Sequence, residues 1–527
     1  MYVRLRKNAS GSTSVFIVDS RRLEGKTHSK SIMVKSFGSS SNKEKIESLR
    51  KEAESFKANL INMGIENTKT LTITSPLDVS SCKVEATGIR ELYGSIFNRF
   101  FGALHLSKVN LKMLADIALM RIAKPMSKLR TANEASSFGI DDLTPNKIYK
   151  FMDSLNDQNI EKLKKAIYKN TKEILGEKEK VDLLFYDLTT IAFETNSKDD
   201  LRDFGFSKDG KSQHVQITLV LIVTKHGAPI GYEIFPGNIY EGHTLIPVMQ
   251  KLRSSYKIDK VCIVADSALM NKVNLSDLDK NGFGYIIAAR VRNLDAKPTK
   301  EMLSSEGYID KANSDLRYKV IGQKEGQNLI TVFSEQRARK DEYERAKIMA
   351  KAEKHLGKSA NGRLKSPLKK AYFTLSESSS IILDEKKLEQ DKSFDGYFGF
   401  YTNLTEVNPE EIIAQYKGLW QVEQSFRITK HNLKIRPVYH WQERRIKAHF
   451  AICFLSLSLV RYAEILLKEA SQHIPIEQLH MSLEKVQRVY ITSSKGELFK
   501  LRTDIPKELL PIYRALGIKS EARFLAM

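Results

Sequence analysis

Two short apolar runs, each closing on an aspartate, constrain this chain more than anything else in it: LLFYD ends at Asp187 and VCIVAD at Asp266. A run of this kind, rich in β-branched and aromatic residues, reads as a strand buried on both faces. Each aspartate therefore stands in or at the carboxyl end of a strand that the core must hold. The neighbouring elements can be read in order. QHVQITLVLIVT (213–224) is a long strand, HGAP (226–229) a turn, and IGYEIFPGN (230–238) the second half of a hairpin. EGHTLIPVMQKLRSSY (241–256) reads as a helix, KVCIVAD (260–266) as a strand, and 271–290 as a second helix and strand ending in FGYIIAAR.

The order strand, strand, strand, helix, strand, helix, strand is that of a ribonuclease-H-like sheet, whose first and fourth strands are neighbours. Adjacent strands would bring Asp187 and Asp266 within metal-bridging distance. A lone aspartate after a strand is more commonly a turn residue or helix cap, so the pair matters more than either member.

A third carboxylate lies on a well-marked helix. Asn408 is a good N-cap, Pro409 suits the first helical position, and Glu411 falls where a capping box needs it. The pattern EEIIAQYKGLWQVEQSFRITKHNLK predicts an unbroken helix up to Arg436-Pro437, about 27 residues or roughly 40 Å. On it Tyr416, Glu423 and Lys430 recur every seven residues and share one face, with Trp420 and Arg427 flanking Glu423. A core-facing helix rarely carries an aromatic, a carboxylate and two cations on one stripe; a helix beside a metal-bound phosphate has use for them. Two Mg²⁺ ions about 3.5–4 Å apart can activate water or a 3′-hydroxyl and stabilise the leaving oxygen of a phosphodiester. Such hard cations take oxygen ligands and keep waters, so three carboxylates suffice.

Charge points to the same partner. The 527 residues carry a formal net charge of +22, which favours a polyanion such as nucleic acid. Three scattered cysteines give neither a disulfide scaffold nor a zinc ribbon. The longest uninterrupted apolar runs, ITLVLIV (217–223) and AICFLSLSLV (451–460), fall short of the ~20 residues of a spanning helix, so no membrane partner is expected. The opening MYVRLRKNASGS lacks the apolar core of a secretory signal.

The expected organisation is a small β region (1–40), a helical DNA-binding or dimerisation region (41–180), a first core part (181–295), a mainly β insertion (296–395), a second core part carrying the Glu helix (396–470), and a C-terminal region (471–527). The insertion is expected to stand apart from the core sheet. It holds a charged helical stretch from Ser334 and a basic loop through LKSPLKK; between 334 and 370, twelve Lys/Arg face five Asp/Glu. Residues 1–36 hold eight Lys/Arg against two Asp/Glu. There is no strong helix-turn-helix signature; 127–155 is the candidate. His214 and His449 read as structural histidines, Asp182 as an exposed strand residue, and Lys208 and Lys211 as residues of a solvated Asp-Gly turn.

These motifs together resemble a bacterial insertion-sequence transposase of the DDE superfamily, and within it the insertion-sequence-four group, marked by Tyr-x2-Arg-x3-Glu-x6-Lys. Tyr416, Glu423 and Lys430 match, while Leu419 stands at the motif's Arg position. YDLTT (186–190) and VADSALMNKVNL (264–275) resemble the two Asp motifs, and PGNIYEGHTL (236–245) the segment between them. The resemblance implies an α/β chain with a ribonuclease-H-like mixed-sheet catalytic core. Asp187, Asp266 and Glu423 would be the catalytic residues and bind two Mg²⁺, with Mn²⁺ as a substitute. Tyr416 and Lys430 would contact the element end, and Arg427, one turn beyond Glu423, is expected to supply the charge missing at Leu419. The implied partners are double-stranded DNA, as terminal inverted repeats and target, and a second copy of the chain in a synaptic dimer. The implied setting is the bacterial cytoplasm, at the nucleoid. The alternatives are a ribonuclease-H-like nuclease or resolvase without strand transfer, and a DNA-binding derivative that has lost catalysis.

Overall fold

The computed structural model describes residues 1–527 except 1, 9–10, 23–28, 63–76, 177–182, 208–209, 211–212, 257, 259–260, 270, 313, 323–325, 354–371, 376–380, 471, 473, 494–495, 520–523 and 527. Asp182, Lys208, Lys211 and the loop through LKSPLKK lie outside the described residues. The chain divides into two compact units: residues 1–103, 112–148 and 463–527, and residues 104–111 with 149–462.

The first unit opens with strands β1 (Tyr2–Lys7), β2 (Thr13–Arg22) and β3 (Ser29–Ser40), an antiparallel meander that the alternating sequence predicts. Helix Lys43–Asn62 covers it, closing a small core of Val15, Ile17 and Ala53 packed by Phe37, Leu49 and Phe56. Strand β4 (Leu77–Ala86) follows.

The second unit holds β5 (Leu183–Ala192), β6 (Gln216–Thr224), β7 (Pro229–Pro236), β8 (Cys262–Ala265), β9 (Gly284–Ala288), β10 (Ile309–Asp310), β11 (Leu316–Gly322), β12 (Asn328–Ser334), β13 (Phe373–Leu375), β14 (Ile381–Leu383) and β15 (Tyr397–Thr402). Nine of these form one mixed sheet in the order β10-β11-β12-β15-β9-β8-β5-β6-β7, and β13 and β14 pair separately. As expected, the first and fourth core strands are neighbours: β5 runs parallel to β8, and β8 parallel to β9. Alternate residues of β5 face different layers. Leu184, Tyr186 and Leu188 pack against Val248, Met249 and Leu252 of helix Leu245–Tyr256 and against Leu275 and Leu278 of helix Lys272–Lys280. Phe185 and Asp187 point to the other face, where Leu219 and Leu221 of β6 meet Phe426, Phe450 and Phe454 around an apolar void of about 20 Å³.

Two expectations need correcting. Segment 296–395 does not stand apart from the sheet, because β10, β11 and β12 extend it through the β12–β15 pairing. Nor is the segment mainly β, since it carries helices Ala296–Leu303, Glu335–Glu353 and Glu385–Lys392. The physical reason lies in NLITVFS: β12 is apolar on both faces, which an isolated strand or an edge cannot bury. The second correction concerns helix Glu443–Glu469. It is the one described helix long and apolar enough to cross a membrane, and 89% of its apolar window is buried inside the protein. His449 and Arg461 bracket its run AICFLSLSLV, which hides the helix's full apolar length from a search for uninterrupted hydrophobicity.

The first unit resumes with β16 (Gln487–Ser493), β17 (Leu498–Arg502) and β18 (Phe524–Ala526), giving a second sheet in the order β18-β17-β16-β4. Beneath it Glu91 accepts hydrogen bonds from Arg502, from Arg488 at 3.3 Å and from the Tyr513 hydroxyl at 3.4 Å. Nearby, the Tyr93 hydroxyl meets His480 Nε2 at 2.9 Å. Burial pulls the His480 imidazole down from 6.5 to about 4, against the opposing charge of Glu477. The unfolded chain thus takes up this proton before the folded one does. The stability involved is complete above pH 6.5 and is lost as pH falls towards 4, about 3 kcal/mol in all. Thermal melts between pH 7.5 and 4.5 should show this loss, and His480→Asn, which cannot take up the proton, should flatten that part of the profile. An identical pH slope in the variant would contradict the assignment.

Candidate active site

The register of β5 on β8 pairs Tyr186 with Ala265, so the next residues, Asp187 and Asp266, stand side by side where β8 ends. Neighbouring strands lie about 4.8 Å apart, so the carboxylates issue from adjacent backbones. Both are half-buried. A backbone N–H orients each one: Leu188 N donates to Asp187 Oδ1 at 2.7 Å, and Ala268 N donates to Asp266 Oδ1. Asp266 thereby opens the tight turn Ser267–Leu269, while Asp187 sits mid-strand, with β5 running on to Ala192.

Asn408 caps the Glu helix as expected, its Oδ1 accepting from Glu410 N at 2.9 Å with Pro409 at the first position. The helix is not unbroken, however. It runs Pro409–Lys417, breaks at Gly418–Leu419, resumes as Trp420–Arg427 and ends in a π turn, Ile428–Asn432. Gly418 explains the first change: a Cβ there would stand 2.5 Å from Cζ of Phe185, so only glycine lets this backbone lie against β5. In the π turn Leu433 N donates to Ile428 O, five residues back, at 2.8 Å. The seven-residue spacing therefore no longer keeps Lys430 on the stripe of Tyr416 and Glu423. Lys430 is half-buried on the π turn, and Arg427 is exposed one turn beyond the exposed Glu423. Leu419, at the motif's Arg position, is only 7% exposed and packs inward.

Tyr416 ties these parts together. Its ring lies on Phe400 at a centroid distance of 4.2 Å. Burial first, then the charges of Asp266, Glu423 and Asp187, push its phenol up to about 12, with Arg337 opposing. One hydroxyl thus feels all three carboxylates. Among the described residues no three His, Cys, Asp or Glu side chains already converge closely enough to hold a metal ion. The chemistry of the donor set still fits one: hard oxygen donors on two adjacent strands, and a longer Glu exposed on the helix beside them.

Two features were missed in the sequence. Arg461, buried in helix Glu443–Glu469, grips the Glu helix: it donates to Ser425 Oγ at 2.7 and 3.2 Å, to Gln421 O at 3.1 Å and to Gln424 Oε1 at 3.1 Å. Those three residues bracket Glu423, so Arg461 is a positioning residue. Its signal was an arginine inside the apolar run LSLVRYAEILL. The second is a cavity of about 320 Å³ lined by Arg290, Arg292, Asn293, Arg337, Asp341 and Tyr397 among others. Arg290 Nε donates to Ser267 O at 3.1 Å, which joins this basic wall to the residue after Asp266. Its signal was RVRN, directly after FGYIIAA. His449 is structural as read, its Nε2 on Ile435 O at 2.8 Å.

The site thus assembles Asp187 within β5, Asp266 just beyond β8 and Glu423 on a helix, against one large mixed α/β sheet. The transposase DDE domain family matches residues 180–459, and the chain belongs to that family. Its class of activity is DNA transposition, with DNA binding and recombination. No curated protein matches the chain. Among solved structures it is similar to the piggyBac transposase synaptic complex with hairpin DNA, at 9% identity over 81% of this chain and 76% of that one, with a TM-score of 0.35. It is also similar to the Mos1 mariner paired end complex with Mn, at 12% identity over 33% and 57% of the two chains, with a TM-score of 0.15.

Removing the Arg461 clamp tests the construction of the site. Arg461→Leu should cost about 2–3 kcal/mol, read as a lower urea midpoint, because it strips charge-assisted bonds from buried partners. A variant as stable as the parent would mean that the Glu helix holds its place without the clamp.

Proposed function

We propose that this transposase cleaves the phosphodiester at each end of an insertion sequence and then joins the freed 3′-hydroxyls to target DNA, on a ribonuclease-H-like core of the insertion-sequence-four group. The observation that carries this reading is the β5–β8 register, which sets Asp187 beside Asp266, with Glu423 and Tyr416 in the same electrostatic field. Asp187, Asp266 and Glu423 would hold two Mg²⁺, with Mn²⁺ able to substitute. The metal, when bound, supplies Lewis acidity and an activated oxygen nucleophile.

The chain's own residues do the rest. The two aspartates accept orienting backbone hydrogen bonds, so their carboxylates are set before substrate arrives. Glu423, exposed on its helix, turns in to complete the set. Tyr416 keeps its proton across the working pH range, and so donates a hydrogen bond to a phosphate oxygen near the scissile bond. Arg427 and Lys430 neutralise phosphates of the element end, with Arg427 replacing the charge absent at Leu419. Arg290, Arg292 and Arg337 offer guanidinium forks to the strand leaving the site. Two ends must be held together, so the working form is a dimer on double-stranded DNA, in the bacterial cytoplasm and without a membrane partner. The N-terminal strands and helices recognise the end sequence.

Cleavage of a labelled terminal repeat should depend on Mg²⁺ or Mn²⁺, and Asp266→Ala should lower its rate by at least about 10³-fold. Arg427→Ala should weaken end binding or cleavage. With precleaved ends the parent should give joined products. Cleavage without joining would assign a nuclease, and metal-independent activity equal in Asp266→Ala would remove the carboxylates from the chemistry.

A further inference from the structure

The second unit carries an aromatic platform that the cleavage chemistry leaves unused. Trp441, just before helix Glu443–Glu469, is 64% exposed, as is Tyr439 two residues earlier. An indole this open is ordinarily loose, but this one has a built support. The guanidinium of Arg202 lies 5.7 Å from the centroid of the Trp441 ring and 5.6 Å from that of the Phe193 ring. Arg202 is itself only 6% exposed, and its Nε donates to Asp199 Oδ2 at 2.7 Å. A second bond, from Arg202 N to Asp199 Oδ1 at 2.5 Å, closes the loop beneath it. An ion pair between the buried Arg202 and the exposed Asp199 thus holds a cation within 6 Å of one buried and one exposed ring.

The position suits a nucleic-acid strand. Phe193 lies six residues beyond Asp187, just past the end of β5, so at about 3.3 Å per residue its backbone stands roughly 20 Å along the strand from that of Asp187. The chain on the Trp441 side is basic, with eight Lys/Arg against two Asp/Glu over 417–447, while the loop that holds Arg202 carries Glu194, Asp199, Asp200 and Asp203 against Lys198 and Arg202. A base inside a duplex has both faces covered by its neighbours. Only an unpaired base can offer a face to a side chain, and strand cleavage produces such bases.

We propose that Trp441, held by Arg202, is a stacking platform for an unpaired base of single-stranded DNA leading away from the carboxylates. Stacking of this kind tolerates any base and gains from the cation behind the ring. The inference deepens the proposed function, but its test needs neither metal nor cleavage.

The protein has two tryptophans, so Trp420→Phe leaves Trp441 as the sole indole reporter. Titrating that variant with single-stranded oligothymidine of about twelve nucleotides should quench its fluorescence, and a blunt duplex of equal length should not. Trp441→Ala should weaken single-strand binding by about 5- to 150-fold, while Trp441→Phe should retain most of it. Asp187→Asn should leave the quenching unchanged, which separates this site from failure of the cleavage chemistry. Absence of quenching, equal quenching by duplex, or unaltered single-strand affinity in Trp441→Ala would each overturn the proposal.

Discussion

The parallel pairing of β5 with β8 is the constraint on which the rest of the second unit depends. Both strands are apolar on both faces, so water cannot satisfy their backbone groups and each must find partners inside the sheet. Once they pair in this register, two aspartates emerge from adjacent backbones at one level. Hydrophobic burial on either side of the sheet holds that juxtaposition. The Glu helix is recruited by the same strand, because Gly418 rests on Phe185, two residues before Asp187 and on the same face. Arg461 then locks the helix from the far side.

Electrostatics explains why the site needs a basic protein around it. After burial, the charges of three carboxylates raise the phenol of Tyr416, and Arg337 of the neighbouring cavity opposes them there. Under the proposed function, the cavity arginines and the cations after Glu423 would draw a polyanion that the carboxylates admit only together with counter-charge.

Much of this was legible in the residues, and what was not legible has physical reasons. Asp187, Asp266 and their strands follow from local hydrophobic runs, and Asn408-Pro409 from capping chemistry; both are decided within a few residues. The break at Gly418 is a tertiary effect, since glycine inside a helical pattern looks like a mere propensity cost until the Phe185 ring is placed against it. The π turn at 428–432 likewise follows from no local signal, yet it decides which way Lys430 points. Membership of β10–β12 in the main sheet depends on a non-local pairing, although the two-faced apolarity of β12 hinted at it. Arg461 reads as an intrusion in an apolar helix until its partners on the next helix are known.

The continuity of the nine-stranded sheet has a mechanical consequence. A segment tethered only by loops can swing as a lid, paying little more than loop entropy. Here the segment that bears Arg337 is stitched to β15 along six residue pairs, from Asn328–Thr402 to Phe333–Tyr397, and β15 is stitched in turn to β9. Opening the wall of the arginine cavity as a rigid door would unzip that ladder. The same backbone ladder continues from β9 to β8, so a load applied at that edge would be passed through the sheet to the strand that leads into Asp266.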